Sequence, residues 1–303
     1  MPPAGIDRKA SLADRGLTWR MSVSYLLLGL VYVLFMWILL QAGVGYLPMV
    51  VILGAMLAAQ YFFSDRMVLA ATGAKLVQEG QEPELSGMVA KLAQLADLPT
   101  PRLAIIDTAV PNAFATGRDP HHAVVAVTRG LTDRLTPEEV EAVLAHEMTH
   151  IKNRDVRLMT LASFFATLAS YITQMSLWFG FGFGYGGGRR QQQDQMLILL
   201  ASMLVWVISF FLIRAISRYR EYAADRGSAV LTGQPSQLAS ALVKISGVMQ
   251  RVPQKDLRTA ESLSALYIFP MVRSGSLIEL FQTHPSLEHR LAHLQRLEEE
   301  MAR

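Results

Sequence analysis

The 303-residue chain contains no cysteine. Disulfides and thiolate metal sites are therefore excluded, and histidine and carboxylate side chains are left as the ligands a metal such as zinc would find. Charge is scarce as well. Only 17% of residues are charged against 51% hydrophobic, and the mean hydropathy is +0.28, which is not the balance of an ordinary soluble enzyme. The net charge of +3 is small. No basic stretch interleaved with aromatics is present, so no nucleic-acid partner is expected.

The charges that exist are unevenly placed. None occurs between Arg20 and Asp65, a run that fits two membrane-crossing helices at roughly 21–41 and 47–63, with Ala42-Gly43-Val44-Gly45 as the turn. A secretory signal would need a small-residue cleavage site ahead of a polar segment, and here a second apolar span follows at once. A third charge-free run covers Leu158 to Gly188, and a fourth, Met196 to Ile213, has just the length to span a bilayer. The outer loop of this second hairpin is placed from Gly180 through Asp194. Long buried helices of a soluble domain are the alternative for these last two. Basic residues cluster before the first span, before the third (Lys152, Arg154, Arg157) and after the fourth (Arg214, Arg218, Arg220), which places both termini on the cytoplasmic side; Arg189 and Arg190 run against the rule. The resulting division is a cytoplasmic segment 1–20, membrane helices 21–63, a first catalytic part 64–157, membrane helices 158–213 and a second catalytic part 214–303.

Between the hairpins, Glu84 to Leu98 reads as an amphipathic helix, stopped by Pro99-Thr100-Pro101. Arg102 to Asp107 and Ala123 to Thr128 read as strands. Asn112 to Thr116 between them is either an edge strand able to bind an extended peptide through its backbone or one arm of a plain hairpin.

Thr136-Pro137-Glu138-Glu139 has the form of a helix start, with Thr136 as N-cap, Pro137 in the first turn and Glu139 completing a capping box. Val140, Val143, Leu144 and Ile151 then recur at helical spacing and are the expected core face. On that helix His146 and His150 stand four apart, on one face, so both imidazoles can reach one metal ion. Glu147 projects beside them, placed to take a proton from a water that the metal activates. The spacing is that of the zinc peptidase motif H-E-x-x-H.

A catalytic site needs a third protein ligand. The second hairpin returns the chain to the side it left, so Arg218-Tyr219-Arg220-Glu221-Tyr222-Ala223-Ala224-Asp225 should emerge near the end of the motif helix. Glu221 is the candidate ligand; a surface pairing with Arg218 is its other reading. Asp225, one turn on, is placed to accept a hydrogen bond from a ligand imidazole. His289 and His293 repeat the four-residue spacing, but Arg290 stands where the base would be, and Leu287, Leu291 and Leu294 mark a surface helix on which the two histidines are solvated. His121 and His122 are a weaker pair at a strand start.

His146-Glu147-Met148-Thr149-His150, the Ser217 to Asp225 segment, Pro111-Asn112-Ala113-Phe114-Ala115-Thr116-Gly117 and Thr283-His284-Pro285-Ser286-Leu287-Glu288-His289-Arg290 together resemble the HtpX family. These are membrane-integrated zinc peptidases related to the CAAX prenyl proteases, and the resemblance covers the chain after the first 20 residues. It implies an α+β, mainly helical fold, with a gluzincin-like zinc peptidase domain and small β-sheet joined to four transmembrane helices. It implies one Zn2+ per chain held by His146, His150 and Glu221, with Glu147 as general base and the catalytic domain on the cytoplasmic side of the cell inner membrane. By the same resemblance Asn112 and Ala113 bind substrate, and His284 and Arg290 lie near the active site, where either is a candidate to steady the oxyanion. The implied partners are the lipid bilayer and damaged or unfolded polypeptides, membrane proteins among them, in a quality-control and stress-response role. No counterpart is assigned to residues 1–20 or to the segment around Arg251 to Thr259. A non-catalytic zinc-binding membrane scaffold and a prenyl-protein-processing peptidase are the rival readings. A transporter fits poorly, because the spans lack internal charges and show no inverted repeat.

Overall fold

The computed structural model describes residues 15–41, 47–180, 189–249 and 284–303. The segment around Arg251 to Thr259, Thr283 and the glycine-rich stretch 181–188 lie outside the described residues.

Four long helices carry the apolar runs: α1 (Arg15–Gln41), α2 (Leu47–Thr72), α6 (Asp155–Gly180) and α7 (Arg189–Thr232). Two candidate spans are identified among the described residues, Gly16–Leu39 and Met196–Thr232, where four were expected. Each is longer than the roughly 20 residues that cross a hydrocarbon core. Leu28, Phe35 and Leu39 of α1 pack with Leu168 and Ile172 of α6 and Ile216 of α7 in one apolar cluster.

The helices run past the limits expected of the apolar runs. Helix α2 does not stop near residue 63 but runs through Asp65 and Arg66 to Thr72, because no breaker intervenes before Gly73, whose φ of 66° ends it. Its last turns bring Val68 and Leu69 onto one face of the sheet, and Asp65 pairs with Arg102 at 2.7 Å. Likewise Arg189 to Asp194 are not loop but the first turns of α7, which continues unbroken past the apolar run to Thr232 and ends at Gly233, φ 72°. Between Arg189 and Arg226 the chain has neither Gly nor Pro, so the change from apolar to charged sequence does not interrupt the helix.

The sheet has the order β1-β2-β4-β3, with β1 (Lys75–Leu76), β2 (Arg102–Ile106), β3 (Ala113–Thr116) and β4 (Val124–Thr128). β2 and β4 run parallel from Arg102↔Val124 to Ile106↔Thr128, and the outer pairs are antiparallel. The continuous Val-Val-Ala-Val-Thr run of β4 suits a strand covered on both faces, and all five residues are buried. β3 is an edge strand and also one arm of a hairpin, so the two readings of Asn112 to Thr116 are compatible. Asn112 N–H and C=O both bond to Thr128, which turns the backbones of Ala113 and Ala115 toward the open edge.

Against the other face lie α3 (Pro83–Ala96) and the motif helix α5 (Pro137–Lys152); a single turn, α4 (Arg129–Thr132), separates β4 from α5. The capping box of α5 is formed: Glu139 N–H donates to Thr136 Oγ1, and Thr136 N–H to Glu139 Oε2. Val140, Val143, Leu144 and Ile151 are buried as their spacing requires. Leu144 and Met148 are fully buried, each worth about 1.5–3 kcal/mol in removed apolar surface. Helices α8 (Pro235–Met249) and α9 (Leu287–Met301) complete this core through Leu238, Leu242, Ile245, Leu294 and Leu297.

Candidate metal centre and active site

Helix α5 packs closely on α7. A Cβ on Gly227 would lie 2.3 Å from the Thr149 side chain, and Ser228 Oγ donates to the Ala142 carbonyl at 2.7 Å. This close approach sets Glu221 and Asp225, one turn apart on the buried face of α7, against the histidine face of α5.

There His146 Nε2 and His150 Nε2 stand 3.2 Å apart. Glu221 Oε2 lies 3.6 Å from the first and Oε1 3.6 Å from the second. Ligand bonds of about 2.0–2.1 Å at a tetrahedral angle would separate donor atoms by about 3.3 Å. The three residues form a group able to hold a metal ion. Glu221 Oε2 is buried with no hydrogen-bond partner among the described residues; Arg290 Nη1 at 3.5 Å offers it charge but no directed bond, so it keeps its capacity to coordinate a metal ion. The donor set therefore fits a divalent metal, and Glu221 is not engaged in a surface pairing.

Both histidines are backed on the far ring nitrogen. His146 Nδ1 lies 3.0 Å from Asp225 Oδ1, and His150 Nδ1 lies 2.6 Å from Asp155 Oδ2. Asp225 is itself gripped by Arg290, whose Nε and Nη2 donate at 3.0 and 2.5 Å; Arg290 Nη1 also stands 3.5 Å from Glu221 Oε2. Burial alone would lower the His146 pKa, but Asp225 and Glu221 outweigh it and raise the value to about 9. Burial pushes the Glu147 carboxyl above the ordinary glutamate value, against the opposing effect of His150 and His146. Glu147 Oε2 accepts the Ala115 N–H at 2.9 Å, so the free edge of β3 borders the site. His284 Nδ1 lies 3.2 Å from Glu221 Oε2, out of hydrogen-bonding alignment.

The fold thus brings His146, Glu147, His150, Glu221, Asp225, His284 and Arg290 together, with Ala113 on the adjoining strand edge. Asn112 is turned to β4 by its backbone. His289 is exposed, but His293 is not solvated as expected: it is half-buried, its ring 5.1 Å from Tyr222 and Nε2 3.2 Å from the Tyr222 carbonyl. His121 and His122 form a short 3-10 turn, with His122 paired to Asp119, and do not join the site. Two residues of the site escaped sequence reasoning, Asp155 and Arg220. No local pattern marks Asp155, because it is Arg154, at φ 55°, that turns the chain back toward His150.

Comparison with known proteins bears on this arrangement. Residues 79–298 match the profile of Peptidase family M48. The Protease HtpX homolog of Moorella thermoacetica is 58% identical over 289 residues, covering 95% of this chain and 97% of that protein. Protease HtpX homolog 2 of Methanosarcina acetivorans is 52% identical over 289 residues, covering 95% and 98%. The crystal structure of S. mikatae Ste24p superposes with a TM-score of 0.54 at 19% identity, a likeness of fold. That alignment covers 90% of this chain but only 63% of Ste24p.

Proposed function

The chain belongs to peptidase family M48 and is a membrane metalloprotease, and from that premise we propose a zinc-dependent endopeptidase in which His146, His150 and Glu221 hold the metal and Glu147 is the general base. The observation that carries this reading is the convergence of both histidine Nε2 atoms on Glu221, with Glu147 buried beside them. Zinc is favoured over other divalent ions by two imidazoles and one carboxylate in a thiol-free site, three protein ligands that leave a position for water.

When bound, the metal supplies Lewis-acid polarisation of the scissile carbonyl and lowers the pKa of water to about 7. The rest falls to the chain's own residues. Glu147, its pKa raised toward the working pH, accepts the proton of the attacking water and returns it to the leaving nitrogen. Asp225 accepts the Nδ1–H of His146 and leaves Nε2 as the ligand atom. Arg290 is 1% exposed and occupied by two carboxylates, so it serves to position them, which leaves His284 as the candidate oxyanion donor. An extended substrate adds to the β3 edge at Ala113, and Asn112 anchors that strand to β4.

For the membrane part, α2 and α6 join the two candidate spans as a third and fourth crossing. Large apolar side chains are exposed on α1 (Leu30, Val33, Leu34, Trp37), on α2 (Val51, Met56, Phe62, Phe63) and on α7 (Leu197, Leu200, Met203, Leu204), a belt that lipid would cover. With the basic residues counted at the helix ends, the active site faces the cytoplasm and the protein sits in the inner membrane. A site bordered by a sheet edge, next to spans, suits unfolded or damaged polypeptides, including membrane proteins, as substrates in quality control.

The test is cleavage of a loosely folded, unprenylated protein by the detergent-purified, metal-loaded chain, beside Glu147→Gln with its metal quantified. Turnover in the parent alone, at equal metal, supports the reading. Equal turnover in both removes Glu147 as base. Cleavage confined to a prenylated C-terminal peptide would indicate the processing peptidase, and no turnover on any substrate at full occupancy the scaffold.

A further inference from the structure

His146 is not the only ligand with an aspartate and an arginine behind it. His150 Nδ1 lies 2.6 Å from Asp155 Oδ2, and Arg220 Nε approaches the same oxygen at 3.1 Å. The guanidinium approach is off the hydrogen-bond line, so Arg220 acts as an ion-pair partner and the directed bond belongs to His150. Asp155 is 1% exposed, and a carboxylate so buried persists only when paired and hydrogen-bonded.

We propose that Asp155 is a positioning residue for the metal site: paired with Arg220, it holds the His150 ring with Nδ1–H engaged and Nε2 aimed at the metal, and so couples the ligand geometry to the α6–α7 hairpin. The proposal rests on the reading that His146, His150 and Glu221 hold a metal. The arrangement repeats around His150 what Asp225 and Arg290 do around His146, with different elements supplying the parts. Asp155 is the first residue of α6, and Arg220 stands next to the ligand Glu221 on α7. Both arms of the hairpin therefore meet at one carboxylate, and a shift of either arm reaches the ring of His150.

The alternative role for Asp155 is that of an acidic residue in the first turn of α6, stabilising the helix through its dipole. That effect needs no directed bond, whereas the contacts show one made to a ligand. Oδ2 is taken by His150 and Arg220, and Oδ1 has no hydrogen-bond partner among the described residues, so neither oxygen caps the helix. A helix-end residue would also have no reason to be folded back against a ligand by a left-handed Arg154.

The experiment uses the full-length, detergent-purified chain as parent, Asp155→Ala, Asp155→Asn, Arg220→Lys and His150→Ala. Zinc affinity is read by chelator competition, the absorption spectrum on the cobalt-loaded protein, kcat and KM on an unfolded test protein, and thermal unfolding on the metal-free protein. Loss of a group that orients a metal-ligating histidine costs about 10- to 100-fold in metal affinity. Asp155→Ala is expected to lose that much, to alter the cobalt spectrum and to lower kcat with KM within about twofold. Asp155→Asn, which keeps an acceptor oxygen, should recover part of the loss. Arg220→Lys should stand between Asp155→Ala and the parent. Zinc affinity and cobalt spectrum unchanged in Asp155→Ala overturn the proposal, as does a fall in metal-free unfolding temperature with metal binding intact. If His150→Ala also binds zinc like the parent, the metal-site reading itself fails, a result distinct from the failure of Asp155.

Discussion

The carboxylate of Glu147 accepts the backbone N–H of Ala115 across 2.9 Å, joining the motif helix to the open edge of the sheet. One oxygen is held by the strand on which substrate is proposed to lie. The bond fixes the side chain in one orientation without supplying a charge that would stabilise its ionised form as strongly as an ion pair. Burial then prevails and raises its pKa, the direction a general base needs.

Glu147→Gln is expected to keep this geometry, because the amide oxygen can still accept the Ala115 N–H, while losing the ability to take a proton. Turnover should fall by about 100- to 10,000-fold, the usual worth of a general base, with metal content and thermal unfolding near those of the parent. Activity within tenfold of the parent at equal metal content would show that the proton goes elsewhere.

His146 titrates near pH 9 in the metal-free protein, because Asp225 and Glu221 outweigh the effect of its burial. Its folded-state value lies above the ordinary histidine value of about 6.5. The stability it contributes is therefore fully present below pH about 6.5 and is lost as pH rises through about 9. Metal binding has the opposite slope, since the ion must displace the proton. Zinc affinity measured by competition should climb between pH 7 and 9, by up to about tenfold per pH unit for one released proton, and flatten above. A flat profile over that range would mean that His146 is already neutral.

How much of this was open to sequence reasoning depends on the range of each relationship. His146, Glu147 and His150 are related by helical periodicity, and Thr136 and Glu139 by a cap, so short local patterns hold them. Glu221 could be reached only by reasoning that a hairpin returns the chain, and Asp225 followed from it by one helical turn. Asp155 could not be read in this way, because it meets His150 only after Arg154 takes a left-handed conformation that a non-glycine residue rarely adopts. The docking of α9 on α7 decides Arg290 and His293, and no local pattern records a contact between residues 225 and 290. The continuity of α7 was missed for another reason. A drop in hydropathy marks where a helix leaves an apolar environment, which is a different matter from where its backbone stops.

Glu139 links α5 to α8. It is buried, and its Oε1 accepts from Ser240 Oγ at 2.6 Å and its Oε2 from Lys244 Nζ at 2.8 Å, in addition to capping Thr136. Burial alone would raise its pKa, but Lys244, Ser240 and the Thr136 N–H outweigh it and hold the value below the ordinary one. The stabilisation is thus present above pH about 4.5 and disappears as pH falls through the lowered folded-state value. Glu139→Gln should flatten the acid limb of the stability profile, measured as unfolding temperature between pH 6 and 3. Lys244→Met, which removes a partner that lowers the Glu139 pKa, should flatten that limb as well. An acid limb identical in all three proteins would remove Glu139 from the linkage.

Gly227 lets α7 approach α5. A methyl group there would sit 2.3 Å from both Thr149 Cγ2 and Oγ1, well inside contact distance, and Thr149 is held in place because its hydroxyl donates to the Ala145 carbonyl at 2.9 Å. Gly227→Ala therefore has to push the helices apart, at a cost of about 1–3 kcal/mol for overpacking. Its gain in helix propensity, about 1 kcal/mol, is too small to cancel the upper part of that range. Because Glu221 and Asp225 ride on the same helix, the displacement should also weaken zinc binding, which a purely local strain would not do. Thr149→Ala removes the two atoms in closest conflict but leaves Cβ at 2.8 Å, so Gly227→Ala with Thr149→Ala should recover only part of the stability and part of the affinity. Chelator competition and unfolding temperature on the two single variants and the double variant check this. Additive losses would show that the two side chains do not meet, and full zinc affinity in Gly227→Ala would show that the α5–α7 spacing does not set the ligand geometry.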